Sequence, residues 1–214
     1  MKVPSVLQVN VSLPTIVNFN GNKIETGIFK KPVSGKVKVR RLNLEGDAQA
    51  DLTVHGGPDK AVYAYPLEQY DYWKTELSNS NLEWGVFGEN LTVEGFDENN
   101  VCIGDRMKIG SAMFAVTQPR MPCFKLGIRF GDPTIVKRFY KSGKWGFYLS
   151  VLEEGEIETG DEIFVADRLS DISLADVSRC FLDPSVDSSL LAKVRKSELA
   201  QQMKEQLEYQ LGRH

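Results

Sequence analysis

Apolar and polar residues alternate along the first three quarters of the chain in a way that predicts short β-strands. In residues 5–13, SVLQVNVSL, every second position is apolar, which places Leu7, Val9 and Val11 on one face of a strand. Further segments of strand-like composition are KIETGIFK, KVKVRRL, AVYAY, NLTVEG, RMKIG, SAMFAVTQ, WGFYLSVLE and DEIFVADR. Short strands separated by glycine-rich turns favour a β-barrel over a parallel α/β sheet.

Two helices are predicted within this β-rich region. One is expected to begin at Pro66, because proline is favoured at the first helical position. The other covers residues 133–143, where Ile135 and Phe139 are spaced as a buried helical face and Gly143 is a natural stop. The fold class is therefore mainly β with interspersed helices.

The pattern becomes helical after Arg168. Ser173 and Asp176 have the spacing of a capping box, and an apolar stripe follows them. SSLLAKVRK and SELAQQMKEQLEYQL predict two more helices. We therefore expect a β-barrel domain over residues 1–168 and a small three-helix extension over residues 169–214.

The extension is expected to pack against another surface, because three short helices bury little apolar area alone. Either the outer wall of the barrel or a second chain in a homodimer would cover its apolar residues. Its basic residues alternate with acidic ones, so no cationic stripe exists for the phosphates of DNA.

Composition and charge exclude several classes of protein. The net charge of −3 argues against a nucleic-acid scaffold. The sequence has no apolar run of membrane-spanning length, and MKVPSVLQVNVSLP does not resemble a secretory signal, so no membrane association is expected. Three cysteines in no CxxC pair favour the reducing cytoplasm. With only His55 and His214 available, a zinc site or a Ser-His-Asp triad is disfavoured.

The first candidate for chemistry is the turn His55-Gly56-Gly57-Pro58, with Lys60 close behind. Glycines allow the backbone to approach an anionic ligand closely, and the imidazole of His55 titrates near neutral pH. A hairpin turn that holds a hydrogen-bonded histidine explains the same residues without any ligand.

The second candidate is Cys123, which stands between two prolines and is flanked by Arg120 and Lys125. Nearby cations favour the thiolate, which is a nucleophile and a soft metal ligand. The alternative is a small buried apolar residue, and that is the expected role of Cys102 and Cys180, which lie in apolar surroundings.

The third candidate is a glycine loop that leads into a strand, with Glu89 and Asn90 at the junction. Both side chains suit ligand orientation, and both suit hydrogen bonding within a turn. The basic cluster of residues 36–41 is interpreted as a solvated strand face.

Together these segments resemble the MOSC family, whose domain also forms the C-terminus of molybdenum cofactor sulfurases. The resemblance is carried jointly by GDAQADLTVHGGPDKAVYAY (46–65), GVFGENLTVEGFDENNVCIGDRMKIGSAMFAV (85–116) and TQPRMPCFKL (117–126). It is strongest with stand-alone bacterial members that have a three-helix extension, and it covers nearly the whole chain. It implies a MOSC β-barrel similar to the small domain of pyruvate kinase.

The resemblance also implies a molybdenum cofactor, in which the cysteine that matches Cys123 is a direct ligand of the metal. The phosphate of the pterin needs cations and N–H donors. Lys30, Lys31, Lys60, Arg120 and Lys125 are the candidate cations, with Gly56, Gly57, Glu89 and Asn90 as further cofactor-binding candidates. Cys123 and His55 are the candidate catalytic residues. Pyridoxal phosphate is not expected, because no lysine is singled out for a Schiff base.

Three functions are consistent with this resemblance. The first is reduction of N-hydroxylated small molecules or bases, with electrons from an external donor protein, because the sequence contains no flavin, haem or iron–sulfur motif. The second is sulfur transfer through a persulfide on Cys123. The third is cofactor binding without turnover. In each case we expect residues 55–60 and 88–90 to meet Cys123 at one pocket.

Overall fold

The structure is a computed structural model that describes residues 3–50 and 56–212. The strands in these ranges are β1 (Ser5–Val11), β2 (Thr15–Phe19), β3 (Asn22–Thr26), β4 (Lys31–Pro32), β5 (Val37–Arg40), β6 (Asn43–Leu44), β7 (Val62–Pro66), β8 (Leu91–Glu94), β9 (Arg106–Ile109), β10 (Ala112–Pro119), β11 (Phe147–Glu153), β12 (Gly155–Ile157) and β13 (Ile163–Asp167). The helices are α1 (Glu68–Glu76), α2 (Phe124–Phe130), α3 (Ile135–Ser142), α4 (Leu174–Leu182), α5 (Ser188–Lys196) and α6 (Gln201–Leu211). The fold is mainly β with interspersed helices, as the sequence predicts.

The main sheet has the strand order β13-β9-β10-β11-β7-β8-β1-β4. Its strands pair antiparallel except β7 and β8, which are parallel. The sheet closes on itself, because the N–H of Val6 donates to the carbonyl of Asp161 at 2.9 Å and the N–H of Ile163 donates to that of Pro4 at 2.8 Å. A small sheet of β12, β5 and β6 and a hairpin of β2 and β3 complete the β structure of the described residues.

Strand β1 differs from its predicted alternation. The sequence places Leu7, Val9 and Val11 on one face and Val6 and Asn10 on the other, whereas the structure buries Val6, Val9 and Asn10. The pairing of β1 with β8 shifts register between Val6 and Gln8. A bulge of this kind exchanges the two faces of a strand, so a simple alternation cannot describe it.

An aromatic cluster fills the core beneath α1 and α3. The rings of Tyr65 and Phe87 stack with centroids 4.6 Å apart, and those of Trp73 and Phe139 stack at 5.5 Å. The indole N–H of Trp73 donates to the hydroxyl of Tyr65 at 2.7 Å, so the buried polar atoms of the cluster are paired. These contacts fix the two helices on the sheet.

The helix predictions are partly confirmed. Helix α3 ends at Gly143, which has a left-handed φ of 66°, as predicted. The first predicted helix is present as α1, but it begins at Glu68 and not at Pro66, because Pro66 ends β7 and pairs with Val93. Helix α2 begins directly after Cys123 and was not predicted from the sequence.

The C-terminal helices pack onto the barrel. The predicted capping box of α4 is confirmed, since the Ser173 hydroxyl accepts from the Asp176 N–H and the Asp176 carboxylate accepts from the Ser173 N–H. The N–H of Ala200 donates to Thr117 of β10 at 3.1 Å. The apolar side chains of the extension that join the core are Ile172, Leu174, Val177, Cys180, Phe181, Val194, Leu199, Met203 and Leu207. The division of the chain into domains at residue 168 stays a prediction.

None of the helices in the described ranges has the length and apolar character needed to cross a bilayer.

Candidate functional site

Loops from distant parts of the chain meet at a cavity of about 90 Å³. They follow β3, β6 and β10, and they also include the turn before β8. The described lining residues are Thr26, Gly27, Ile28, Lys30, Asp47, Ala48, Gln49, Ala50, Lys60, Tyr63, Gly88, Asn90, Arg120, Cys123, Lys125 and Tyr148. They include four cationic side chains and one carboxylate, so the cavity suits an anion.

The structure brings together most of the predicted site residues. Those that line the cavity are Lys30, Lys60, Asn90, Arg120, Cys123 and Lys125. Gly56 and Gly57 lie near Lys60 in the chain but are absent from the described lining. His55 lies outside the described residues, so its predicted catalytic role stays a prediction.

Cys123 lies at the end of the loop that connects β10 to α2. It is the residue that precedes the first turn of that helix, its backbone is extended, and its side chain is half-buried. The guanidinium of Arg120 interacts electrostatically with its sulfur. The thiol of Cys123 is therefore exposed to the cavity beside a fixed positive charge.

Arg120 is a buried cation that lacks a carboxylate partner among the described residues. Its side chain is 6% exposed, and its guanidinium lies 5.3 Å from the ring centroid of Tyr63 and 5.6 Å from that of Phe139. Within the described part of the chain, Nη1 of Arg120 has no hydrogen-bond partner. A buried guanidinium in this state is costly unless a ligand supplies the missing acceptor, which makes Arg120 the strongest sign of an anion site.

Lys30 differs from Arg120 because a carboxylate already neutralises it. Its ammonium donates to Asp47, whose other oxygen accepts from the Asn90 amide at 2.9 Å. Burial lowers the pKa of Lys30, and the attraction of Asp47 opposes that shift. Lys30, Asp47 and Asn90 therefore form one hydrogen-bonded wall of the cavity. Asp47 was not predicted as a site residue from the sequence.

Two predicted cofactor-binding residues face elsewhere. Glu89 is fully buried and does not line the cavity, because its carboxylate accepts from the N–H groups of Gly85 at 2.7 Å and Phe87 at 3.1 Å and also from the hydroxyl of Tyr70. Burial raises the pKa of Glu89, and these hydrogen bonds oppose the shift. Lys31 is exposed on β4 and is also absent from the described lining.

Glu89 shapes the site indirectly by holding its glycine loop. Gly88 in this loop lines the cavity and has φ of 84°, a conformation that side chains rarely adopt. A Cβ on Gly88 would also lie 2.9 Å from a side-chain carbon of Ile28. The loop therefore needs glycine at this point and the carboxylate of Glu89 behind it.

A second cavity of about 180 Å³ adjoins the first and shares Lys60, Cys123 and Tyr148 with it. Its other described lining residues are Gln118, Met121, Pro122, Gln202, Met203 and Gln206. Burial lowers the pKa of Lys60, with Asp59 opposing, and burial raises the pKa of Tyr148, with Arg120 opposing.

The other two cysteines are buried in packed surroundings, as expected for packing residues. Cys102 is 4% exposed and Cys180 is 3% exposed. Burial raises the pKa of the Cys102 thiol, and it raises that of Cys180 to about 11. None of the three cysteines forms a disulfide bond.

Sequence reasoning missed the residues that long-range contacts bring to the site. Tyr63 and Tyr148 lie on neighbouring strands β7 and β11, and their ring centroids are 5.4 Å apart. Gln202 and Gln206 are four residues apart on α6, and this spacing places them on one face of the helix. Nothing in their sequence indicated that this face points to Cys123.

The chain is similar to proteins of a known family. The family model described as MOSC domain matches residues 51–164. The chain is 48% identical over 164 residues to the uncharacterized protein YflK of Bacillus subtilis (strain 168), a match that covers 77% of this chain and 74% of that protein.

The chain is 34% identical over 177 residues to a protein of Gibberella moniliformis (strain M3125 / FGSC 7600) named reductase; the match covers 81% of this chain and 31% of that protein. The crystal structure of YiiM from Geobacillus stearothermophilus superimposes with a TM-score of 0.80 at 29% identity, covering 97% of this chain and 99% of that one.

Proposed function

Because the chain belongs to the MOSC domain family, we propose that it binds a molybdenum cofactor beside Cys123 and reduces N-hydroxylated small molecules. The observation that carries the proposal is the buried, unpartnered Nη1 of Arg120 in the cavity that Cys123 lines. A similar fungal protein named reductase supports an oxidoreductase.

The described residues fit such a cofactor. Arg120, Lys60 and Lys125 offer cationic donors to the phosphate of a pterin, whereas Lys30 is already paired with Asp47. Cys123 offers a soft thiolate ligand to molybdenum. Within residues 3–50 and 56–212, no cluster of three His, Cys, Asp or Glu side chains suits a metal ion. A cofactor that brings its own sulfur ligands needs only the one thiolate from the protein.

The reduction converts R–NH–OH into R–NH2 and water, and it consumes two electrons and two protons. When bound, the cofactor would supply the two-electron chemistry at the N–O bond. Lys60 lines both cavities, and burial lowers its pKa, so its ammonium holds a proton at Nζ that it releases more readily than an exposed lysine does. Tyr148 also lines both cavities.

The two electrons would come from an external donor protein, since the chain itself carries no recognisable electron-transfer motif in its sequence. We propose the reducing cytoplasm as the compartment, because the three cysteines form no disulfide and lie in no CxxC pair. The substrate would be a small molecule, and the protein would bind neither nucleic acid nor membrane.

The test is to produce the full chain in a host that makes the cofactor and to measure its metal content, its pterin content and its turnover. We expect molybdenum in a one-to-one ratio with the chain, and reduction of an N-hydroxylated purine with chemically supplied electrons. Cys123→Ser should lose the metal and the turnover, while Cys102→Ala retains both. A persulfide on Cys123 without molybdenum would instead establish a sulfur carrier, and molybdenum without turnover would establish a binding module.

A further inference from the structure

Helices α2 and α3 concentrate positive charge next to Cys123. Residues 124–142, which contain both helices, have five Lys or Arg residues and one Asp, a net charge of +4. The whole chain has a net charge of −3, so the rest of the chain carries −7. Because α2 begins directly after Cys123, this positive segment starts at the candidate metal ligand.

The two helices lie side by side with their apolar sides on one aromatic ring. Phe130 of α2 and Phe139 of α3 both contact Phe87, with ring centroids 5.5 Å and 5.7 Å from that of Phe87. Lys137 and Lys141 are each two positions from Phe139, which places them on the opposite side of α3, and both are exposed. The lysines of α3 therefore point away from the core.

Phe124 adds an apolar contact to this outward surface. It is the first residue of α2, it is 54% exposed, and it directly follows Cys123 in the chain. Its position lies about 120° around the helix from Phe130, which packs on the core. An exposed aromatic ring beside cations is typical of a surface where another protein docks. We define the basic patch as Phe124, Lys125, Lys137 and Lys141.

The lysines of the basic patch carry charge that the protein does not neutralise locally. Among the described residues, none of the three forms an ion pair with a carboxylate. Arg138 of α3 differs, because Glu76 and Asp132 both pair with it. A surface of unneutralised cations attracts an acidic partner and accelerates its association.

We propose that the basic patch is the docking surface for an acidic electron-carrier protein, which delivers electrons to the cofactor beside Cys123. The proposal rests on the reductase function set out above. Two molecules of a reduced one-electron carrier are oxidised for each R–NH–OH that becomes R–NH2 and water, and the two protons come from the solvent. A carrier that covers Phe124 contacts the residue adjacent to the thiolate that would hold the metal.

A compact protein fits the basic patch better than a nucleic acid does. Surfaces that bind nucleic acid usually continue as a stripe of cations, whereas α2 and α3 have only seven and eight residues. The charge of −7 on the rest of the chain repels a long polyanion that extends beyond the patch. A small acidic protein meets the patch alone, and its apolar residues would cover Phe124.

The test measures association of a plant-type ferredoxin, an acidic one-electron carrier, with the full chain isolated from the cofactor-competent host. Isothermal titration calorimetry at low salt should show binding that weakens as salt is added. The double variant Lys137→Glu, Lys141→Glu should bind at least about tenfold more weakly. The double variant Lys193→Glu, Lys196→Glu is the matched control, because both lysines are exposed on α5 and the change in net charge is the same.

Turnover with two electron sources separates docking from the reaction. The Lys137→Glu, Lys141→Glu variant should reduce an N-hydroxylated compound at least about tenfold more slowly with limiting ferredoxin. With chemically supplied electrons its rate should equal that of the parent chain, because neither lysine lines the cavity that Cys123 lines.

The outcomes are distinguishable. If the ferredoxin fails to bind the parent chain, or binds the Lys137→Glu, Lys141→Glu variant equally tightly, the docking surface is wrong even when chemically supplied electrons support reduction. Unchanged ferredoxin-driven turnover in that variant would also overturn it. If binding depends on the patch but neither electron source supports reduction, the docking surface stands and the proposed reaction is wrong. Salt-dependent binding of single-stranded RNA that the same variant loses would assign the patch to a nucleic acid and overturn the proposal.

Discussion

Lys60 and Gln202 are hydrogen-bonded across 142 positions of the sequence, with the lysine ammonium 2.6 Å from the glutamine oxygen. The first residue follows the glycine turn that leads into β7, and the second lies in the first turn of α6. This bond ties the C-terminal helices to the cavity that Cys123 lines. The extension therefore contributes to the site as well as to the core.

Cys123 should be needed for metal binding, whereas Cys102 and Cys180 should be needed only for stability. Cys123→Ser should leave the free energy of unfolding unchanged and remove bound molybdenum, because its side chain is half-buried at the cavity. Cys102→Ala and Cys180→Ala should cost about 1 kcal/mol each and keep the metal, because both are packed in the core. Urea unfolding and metal analysis check the three variants, and full metal loading of Cys123→Ser would contradict the assignment.

Arg120 should dominate the affinity for anions. Inorganic phosphate at about 100 times its Kd stabilises a binding protein by about 2.7 kcal/mol. Arg120→Met should lose most of that stabilisation in a thermal unfolding assay, because the buried Nη1 has no other acceptor among the described residues. Lys31→Met is the control, since Lys31 is exposed and absent from the described lining. Equal losses in both variants would show that the effect is one of general charge.

Glu89 should prove to be a structural residue. Glu89→Ala leaves the N–H groups of Gly85 and Phe87 and the hydroxyl of Tyr70 without their acceptor, all in the core. We expect a loss of at least about 3 kcal/mol in the free energy of unfolding. Glu83→Ala, at an exposed position of the same loop, should cost less than about 0.5 kcal/mol. A stable Glu89→Ala protein that had lost only its cofactor would restore the predicted binding role.

Glu98 should make stability fall as the pH rises. Burial raises its pKa to about 7 from 4.5, with Lys144 opposing the shift and Asp97 adding to it. Between these two values the folded chain binds more protons than the unfolded chain, so the free energy of unfolding decreases with pH. The shift corresponds to about 3 kcal/mol, lost between pH 4.5 and 7.

Glu98→Gln should remove this dependence and stabilise the protein above pH 7. Its Gln69 neighbour can still donate to the remaining oxygen. Glu153→Gln, at an exposed position, is the control and should follow the pH profile of the parent chain. Denaturant unfolding at several pH values measures the difference, and parallel profiles for the parent chain and Glu98→Gln would contradict the prediction.

Removal of residues 170–214 should expose the barrel wall that the extension covers. Phe181, Val194, Met203 and Leu207 are buried in the intact chain, and the truncated protein would leave their contacts open to water. We expect aggregation and a lower Tm, measured by light scattering and thermal unfolding. A truncated chain that kept both its Tm and its assembly state would show that the extension contributes nothing to stability.

The sequence predicts those parts of the fold that local pattern determines. The capping box of Ser173 and Asp176 and the glycine stop of α3 appear where the residue types require them. The bulge in β1 does not follow from local pattern, because it depends on pairing with β8. Local signals likewise failed at Pro66, where the parallel partner β8 extends strand β7 through the proline.

The residues of the site likewise fall into those that the local sequence reveals and those that only long-range contacts bring together. Arg120, Cys123 and Lys125 stand out in the sequence because they are close together in an unusual proline-rich setting. Glu89 was predicted to bind the cofactor because it stands where a glycine loop leads into a strand. Its burial could not be predicted, because it depends on a hydrogen bond from Tyr70, which lies on another element. Gln202 reaches the site only through tertiary packing of α6, which no local pattern reveals.

The closure of the barrel also constrains how the chain is made. Val6 obtains one of its backbone partners from Asp161, so β1 cannot be fully paired until that late segment has left the ribosome. Such a topology has many contacts between residues distant in sequence, which slows folding relative to a helical protein of equal size. A chain interrupted before residue 160 would present an open strand edge to its neighbours, and open edges promote aggregation. One edge of β1 therefore stays unpaired during the synthesis of most of the barrel.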